Sequence, residues 1–162
     1  FPEPPLVTYT RTKNIRDLVF SYTCPVTGAV ANITQHITCQ SSGVYLIYCS
    51  KDTGPCARLR PTYLGICGEG EHSSFTSRLG QHLGTATQPC HADTVKPVGR
   101  HFRLPGHRAH RDLVMIPIEA ISGKDPFLLR ARENFNIIKF KSEKVRGVDD
   151  IEHGLNLDEG QV

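Results

Sequence analysis

Apolar and polar residues along this chain fall into a few short periodic stretches. Between residues 43 and 67 two runs rich in β-branched and aromatic residues, GVYLIYC and TYLGIC, flank a polar segment that contains Pro55. Runs of that composition, joined this closely, predict an antiparallel hairpin. Upstream, Cys24-Pro25-Val26-Thr27-Gly28 reads as a turn, and the alternation over residues 29–39 predicts a strand leading into the hairpin. Downstream, Phe75, Leu79 and Leu83 recur every four residues, which predicts a helix with Ser73 or Ser74 as its N-cap. The polar stretch that follows, broken by Pro89 and Pro97, predicts a loop from Thr85 to Gly99. Leu113 to Ile121 is a third apolar run; Pro117 inside it removes a ladder donor and assigns it to a sheet edge or a bulge. Asp125 and Pro126 then supply an N-cap and a first helical position, with Phe127, Leu128, Ala131, Phe135 and Ile138 expected to form the buried face.

These elements predict an α/β domain of the α+β kind, a small three-stranded antiparallel sheet flanked by helices, over residues 39–144. Residues 1–38 are expected to be an extension, proline-rich at first, with Asn14 capping a short helix. Residues 145–162, mixed in Gly, Asp and Glu, are expected to be a weakly ordered tail apart from Gly154-Leu155-Asn156. The 162 residues suit one domain with a real core, and the opening Phe1 suggests part of a longer polypeptide. A net charge of +3 is too mild to announce a nucleic-acid partner. Charge is local, however: Arg58, Arg60, Arg78, Lys96, Arg100, Arg103, Arg108 and Arg111 crowd the middle of the chain, faced by Glu69, Glu71 and Asp93. That basic middle fits either a solvated face or a phosphate-binding one. With no apolar run of about 18 residues and no secretory pattern, the expectation is an intracellular protein without a membrane partner. Under those conditions the six cysteines and eight histidines are better read as metal ligands than as a disulfide framework.

The hairpin places Tyr45 and Tyr63 on neighbouring strands, each close to a glycine that lets backbone or phosphate approach. Arg78 and His82, four apart, share a helix face, and Glu133 sits midway along the last helix. Taken singly, each has an ordinary reading: sheet aromatics, and a salt bridge between helices. Together, Gly43-Val44-Tyr45 and Tyr63-Leu64-Gly65, followed by this Arg, His and Glu, resemble the signatures of the GIY-YIG nucleases. Lys13 to Val19, Cys39 ahead of the first signature, and Gly154-Leu155-Asn156 are similar to segments flanking the endonuclease of Penelope-like retroelements. The resemblance implies a DNA endonuclease that nicks double-stranded DNA in the nucleus. It further implies a reverse transcriptase in the same longer polypeptide, acting with its template RNA. By the same resemblance Glu133 holds a catalytic Mg²⁺ or Mn²⁺ and Arg78 binds the scissile phosphate. Tyr45 orients or deprotonates the water, Tyr63 positions water or phosphate, and His82 is a further proton-transfer candidate; which tyrosine is the base stays open. The segment between Gly65 and Arg78 is longer than the family pattern.

A second constellation follows from the topology. Cys49 ends the first strand, Cys56 lies in the hairpin loop, and His101 and His107 precede the third strand. If that strand runs antiparallel to the first, its start meets the first strand's end, so two thiols and two imidazoles can enclose a structural Zn²⁺. His110 is near enough to replace either histidine. The set is similar to the Cys-Cys-His-His feature of Penelope-type endonucleases, with a wider cysteine spacing. Two alternatives stand beside the retroelement nuclease: a zinc-stabilised nucleic-acid-binding module with a decayed nuclease site, and a repair-type GIY-YIG nuclease.

Overall fold

The computed structural model describes residues 21–33, 35, 37–68, 74–88, 96–122, 125–143 and 153–156. The helix expected after Asn14, the Lys13 to Val19 phrase, Ser73, Pro89, the acidic residues Glu69, Glu71 and Asp93, and most of the expected tail lie outside them. Two strands open the described chain, β1 (Ser21–Thr23) and β2 (Val30–Asn32). They form a ribbon of their own, closed by the expected turn, with Cys24 N–H donating to Ala29 O at 2.8 Å and Gly28 N–H to Cys24 O at 2.9 Å. The strand expected over residues 29–39 therefore stops early. Its cause is local: the Thr38 N–H donates to Ser41 Oγ at 3.1 Å and the Ser41 N–H to Thr38 O at 3.0 Å, a turn that competes with extension.

The main sheet has the expected architecture. β3 (Gly43–Cys49) and β4 (Thr62–Cys67) form the antiparallel hairpin, with Tyr45 opposite Gly65 and Ile47 opposite Tyr63. β5 (Leu113–Ala120) pairs antiparallel on the other side of β3, giving the order β4-β3-β5. The central strand is covered on both faces, which explains why its sequence is almost continuously apolar. Pro117 stands opposite Tyr45 on the edge strand, next to a register shift between Val44 and Tyr45, where its missing N–H costs no ladder bond. Gly43, at φ +147°, is required by crowding as well, because a Cβ there would run into the carbonyl of Glu119.

Helices cover both faces. The hairpin loop carries a short helix, α1 (Gly54–Leu59), and α2 (Phe75–Thr87) follows β4. Ser74 caps α2 in a reciprocal box with Ser77, and Phe75 is buried with Leu79 and Leu83 half-buried, as the four-residue spacing predicts. Where a loop was expected up to Gly99, α2 continues to Thr87 and α3 (Pro97–Phe102) starts at a proline whose fixed φ suits the first helical turn. A single turn, α4 (Ala109–Asp112), leads directly into β5. The last helix, α5 (Pro126–Phe140), is capped by Asp125, which accepts from Phe127 N–H at 3.0 Å. Tyr22 stacks on Tyr48 and packs against Phe140, so the ribbon and the end of α5 cover the face of the sheet opposite Tyr45.

The buried face of α5 differs from the expected one. Leu129, Asn136 and Phe140 point inward, whereas Phe127 (86% exposed), Ile138 (70%), Leu128, Ala131 and Phe135 face outward. Periodicity finds a stripe without saying what covers it; here the helix packs against β4 and β3, with Arg132 2.9 Å from Glu119 on β5 and Phe140 against Tyr22. Leu129→Ala should accordingly cost about 2–5 kcal/mol in urea unfolding. Ile138→Ala should cost no more than about 0.5 kcal/mol, and the reverse ranking would restore the sequence-based face.

Residues 153–156 return to the domain. Asn156 donates to Leu64 O at 2.8 Å and accepts from Leu64 N–H at 2.9 Å and from Ser142 Oγ–H at 2.7 Å, closing the outer edge of β4. Gly154, Leu155 and Asn156 are all buried.

Candidate active site and metal centre

Strand parity puts Tyr45, Ile47 and Cys49 on one face of β3, together with Tyr63 and Gly65 of β4. Gly65 is what allows Tyr45 to lie flat over the hairpin, because a Cβ at this position would collide with the Tyr45 ring and hydroxyl. The first turns of α2 then close over the phenol. Arg78 Nε–H donates to Tyr45 Oη at 2.9 Å, and His82 Nε2 lies 2.9 Å from the same oxygen. Tyr63 packs at a ring-centroid distance of 6.4 Å from Tyr45 and 5.6 Å from His82. Phe75 meets Tyr45 edge-on at 6.5 Å and completes the enclosure. Tyr45 is fully buried and His82 buried, while Tyr63 and Arg78 are half-buried.

The electrostatics decide which protons are where. Burial holds the Tyr45 hydroxyl well above the ordinary phenol range; Tyr63 adds to this and the Arg78 guanidinium opposes it. Burial also raises Tyr63, with the Glu133 carboxylate as the next cause and Arg78 again opposing. Both phenols are thus protonated at neutral pH. Since Arg78 already donates to the Tyr45 oxygen, the phenolic proton is available to His82 Nε2, giving a donor chain that runs Arg78 to Tyr45 to His82. Glu133, half-buried at mid-α5, acts on both phenols through its charge.

Gln81 carries a role that sequence reading did not find. Its Oε1 accepts from Arg78 Nη1 at 2.5 Å, so the guanidinium is held between Tyr45 and Gln81. The signal was present as a polar residue three positions after Arg78, on the neighbouring helix row.

Four residues after Tyr45 on the same face, hence about 13 Å along the strand, Cys49 begins the second site. The ligand atoms of Cys49, Cys56, His101 and His107 all lie within 4.8 Å of one another. Cys56 Sγ is 3.2 Å from His107 Nε2 and 3.8 Å from His101 Nε2. Donors around a tetrahedral ion at 2.0–2.3 Å stand roughly 3.3–3.8 Å apart, so the donor set fits a metal ion. His107 Nδ1 lies 3.2 Å from Leu104 O, a contact that fixes its ring with Nε2 toward the thiol. Burial pushes the Cys49 thiol up to about 12, with Cys56 and Asp112 adding to it against a Lys51 N–H bond. Burial first, and then the charges of His107 and Lys51, bring His101 down to about 4. A neutral imidazole is what ligation requires, and a bound cation replaces the thiol protons. His110 stays exposed on α4, outside the cluster. The Ser50 N–H to Asp112 O bond, at 2.8 Å, joins the end of β3 to the start of β5 and so brings the cysteines to the histidines.

Protein-family models, curated proteins and solved structures contain no match to this chain. Among the described residues no helix is long and apolar enough to cross a membrane.

Proposed function

We propose that this chain is a metal-dependent DNA endonuclease of the GIY-YIG type, the nuclease part of a Penelope-like retroelement. The observation that carries this reading is the Tyr45 hydroxyl held between Arg78 and His82, with Tyr63 against it and Glu133 acting on both phenols. Those five residues are the ones the signatures mark.

The scissile phosphate sits against the half-buried Arg78 guanidinium, whose planar fork is preset by Tyr45, Tyr63 and Gln81. A water at the half-buried Tyr63 gives its proton to the Tyr63 oxygen as Tyr63 passes its own to the Tyr45 oxygen and Tyr45 passes its own to His82 Nε2. The water oxygen attacks phosphorus and the bond to the 3′ oxygen breaks; that oxygen takes a proton from solvent water, leaving a 5′ phosphate and a 3′ hydroxyl. Tyr63 positions water and phosphate. A Mg²⁺ or Mn²⁺ bound by Glu133 supplies charge neutralisation at the phosphate. In a retroelement, the new 3′ hydroxyl primes a reverse transcriptase copying its template RNA, and chromosomal DNA as target places the protein in the nucleus. For the Cys/His cluster we assign Zn²⁺, since two thiolates and two imidazoles with ligand atoms within 4.8 Å of one another suit it.

One observation favours a second reading. Full burial of Tyr45 suits a zinc-stabilised nucleic-acid-binding module whose nuclease site has decayed. Nicking of supercoiled plasmid with and without Mg²⁺ separates the two, and Mg²⁺-dependent nicking is the expected result. Arg78→Lys, which keeps the charge but loses the fork, should lower the nicking rate about 100-fold with little loss of DNA binding. Equal losses in binding and cleavage would make Arg78 a general phosphate anchor.

A further inference from the structure

Beyond the two sites, the C-terminal end of α2 and the α4 turn enclose an open groove of about 550 Å³. Ala86 and Phe102 contribute apolar walls, Arg108 and Arg111 cationic ones, and His110 lies beside them. All three of those polar residues are exposed, and the Arg111 side chain is 72% accessible. From residue 96 to residue 112 the chain carries Lys96, Arg100, Arg103, Arg108 and Arg111 against Asp112 alone. Asp112 is buried and accepts from the Arg108 N–H at 2.7 Å with one oxygen, and the other pairs with Arg111 Nε at 3.9 Å, which leaves the remaining cations without a carboxylate in this stretch. Positive charge therefore stays on the groove surface.

The groove is also held in place and at a defined distance. His107, one of the four clustered metal ligands, forms part of its wall, so a metal ion there would fix the wall to β3. Along α2, Arg78 and Ala86, which lines the groove, are eight residues apart, about 12 Å of helix rise and about 80° around the axis. That rise matches between three and four steps of about 3.4 Å along one DNA strand. Apolar walls with cationic rims suit a deoxyribose-phosphate backbone.

We propose that this groove is a second contact for the backbone of duplex DNA, about three to four base pairs from the cleavage centre. The distance rests on the nuclease reading, whereas binding in the groove does not. Fluorescence anisotropy of a labelled duplex of about 20 base pairs, with no divalent ion added and with salt varied, tests it separately from cleavage. Arg108→Ala/Arg111→Ala should reduce the slope of log affinity against log salt by about two, each single substitution by about one, and Lys139→Ala on α5 should leave it unchanged. Melting temperature and metal content at wild-type values show that the fold is intact. An unchanged slope in the double variant would sink the groove even if the protein nicks plasmid. A slope reduced as expected in a protein that never nicks supports the groove and defeats only the nuclease reading. Stronger binding to single-stranded DNA or to an RNA hairpin than to duplex would overturn the duplex assignment.

Discussion

Glu133→Gln is expected to lower Mg²⁺-dependent plasmid nicking by about 10³-fold while leaving the melting temperature near the wild-type value. Glutamine keeps the size and one carbonyl oxygen of the side chain but removes the negative charge that attracts a divalent ion. The fold should persist because the inner side of α5 is held by Leu129, Asn136 and Phe140, none of which changes. A second, independent consequence follows from the phenols. The Glu133 carboxylate raises both Tyr63 and Tyr45, so its loss should bring the Tyr63 titration closer to the ordinary phenol range, readable by ultraviolet difference spectroscopy. Near-normal nicking by the variant would remove Glu133 from the mechanism.

Patterns that depend on nearest neighbours were legible in the sequence. The hairpin, the Pro117 edge strand and the caps at Ser74 and Asp125 each follow from a few adjacent residues, and each is present. The Cys/His cluster spans a wider separation, yet it could be read because antiparallel order alone brings the end of β3 to the start of β5. What could not be read depends on a docking partner. The outward stripe of α5 is as periodic as a core face, and only its packing against β4 and β3 shows that Leu129 and Phe140 are the inner residues. Likewise, nothing around Asn156 shows that its amide closes the edge of β4, ninety-two residues from Leu64. The short α3 was hidden behind Pro97, which reads as a loop marker until the residues after it are seen to be helical.

Cys56→Ser is expected to remove bound metal and lower the melting temperature together, by about 10 °C. The four donors come from β3, α1, α3 and the loop before α4, so one ion would tie the hairpin tip to the segment that feeds β5. Weakening such a site by roughly 3–5 kcal/mol corresponds to a shift of that size in a chain of this length. The wild-type protein, prepared without chelators, should carry about one Zn²⁺ per chain by elemental analysis. Cys67→Ser is the matched control: this thiol is also buried, but it stands 3.9 Å from Ser41 O and outside the cluster, so any loss of stability should come without loss of zinc. Nicking by the wild type should still need added Mg²⁺, because four protein ligands leave a zinc ion no open position for water. A folded wild-type protein without zinc, or a Cys56→Ser variant that keeps its metal, would return Cys49, Cys56, His101 and His107 to the role of buried core side chains.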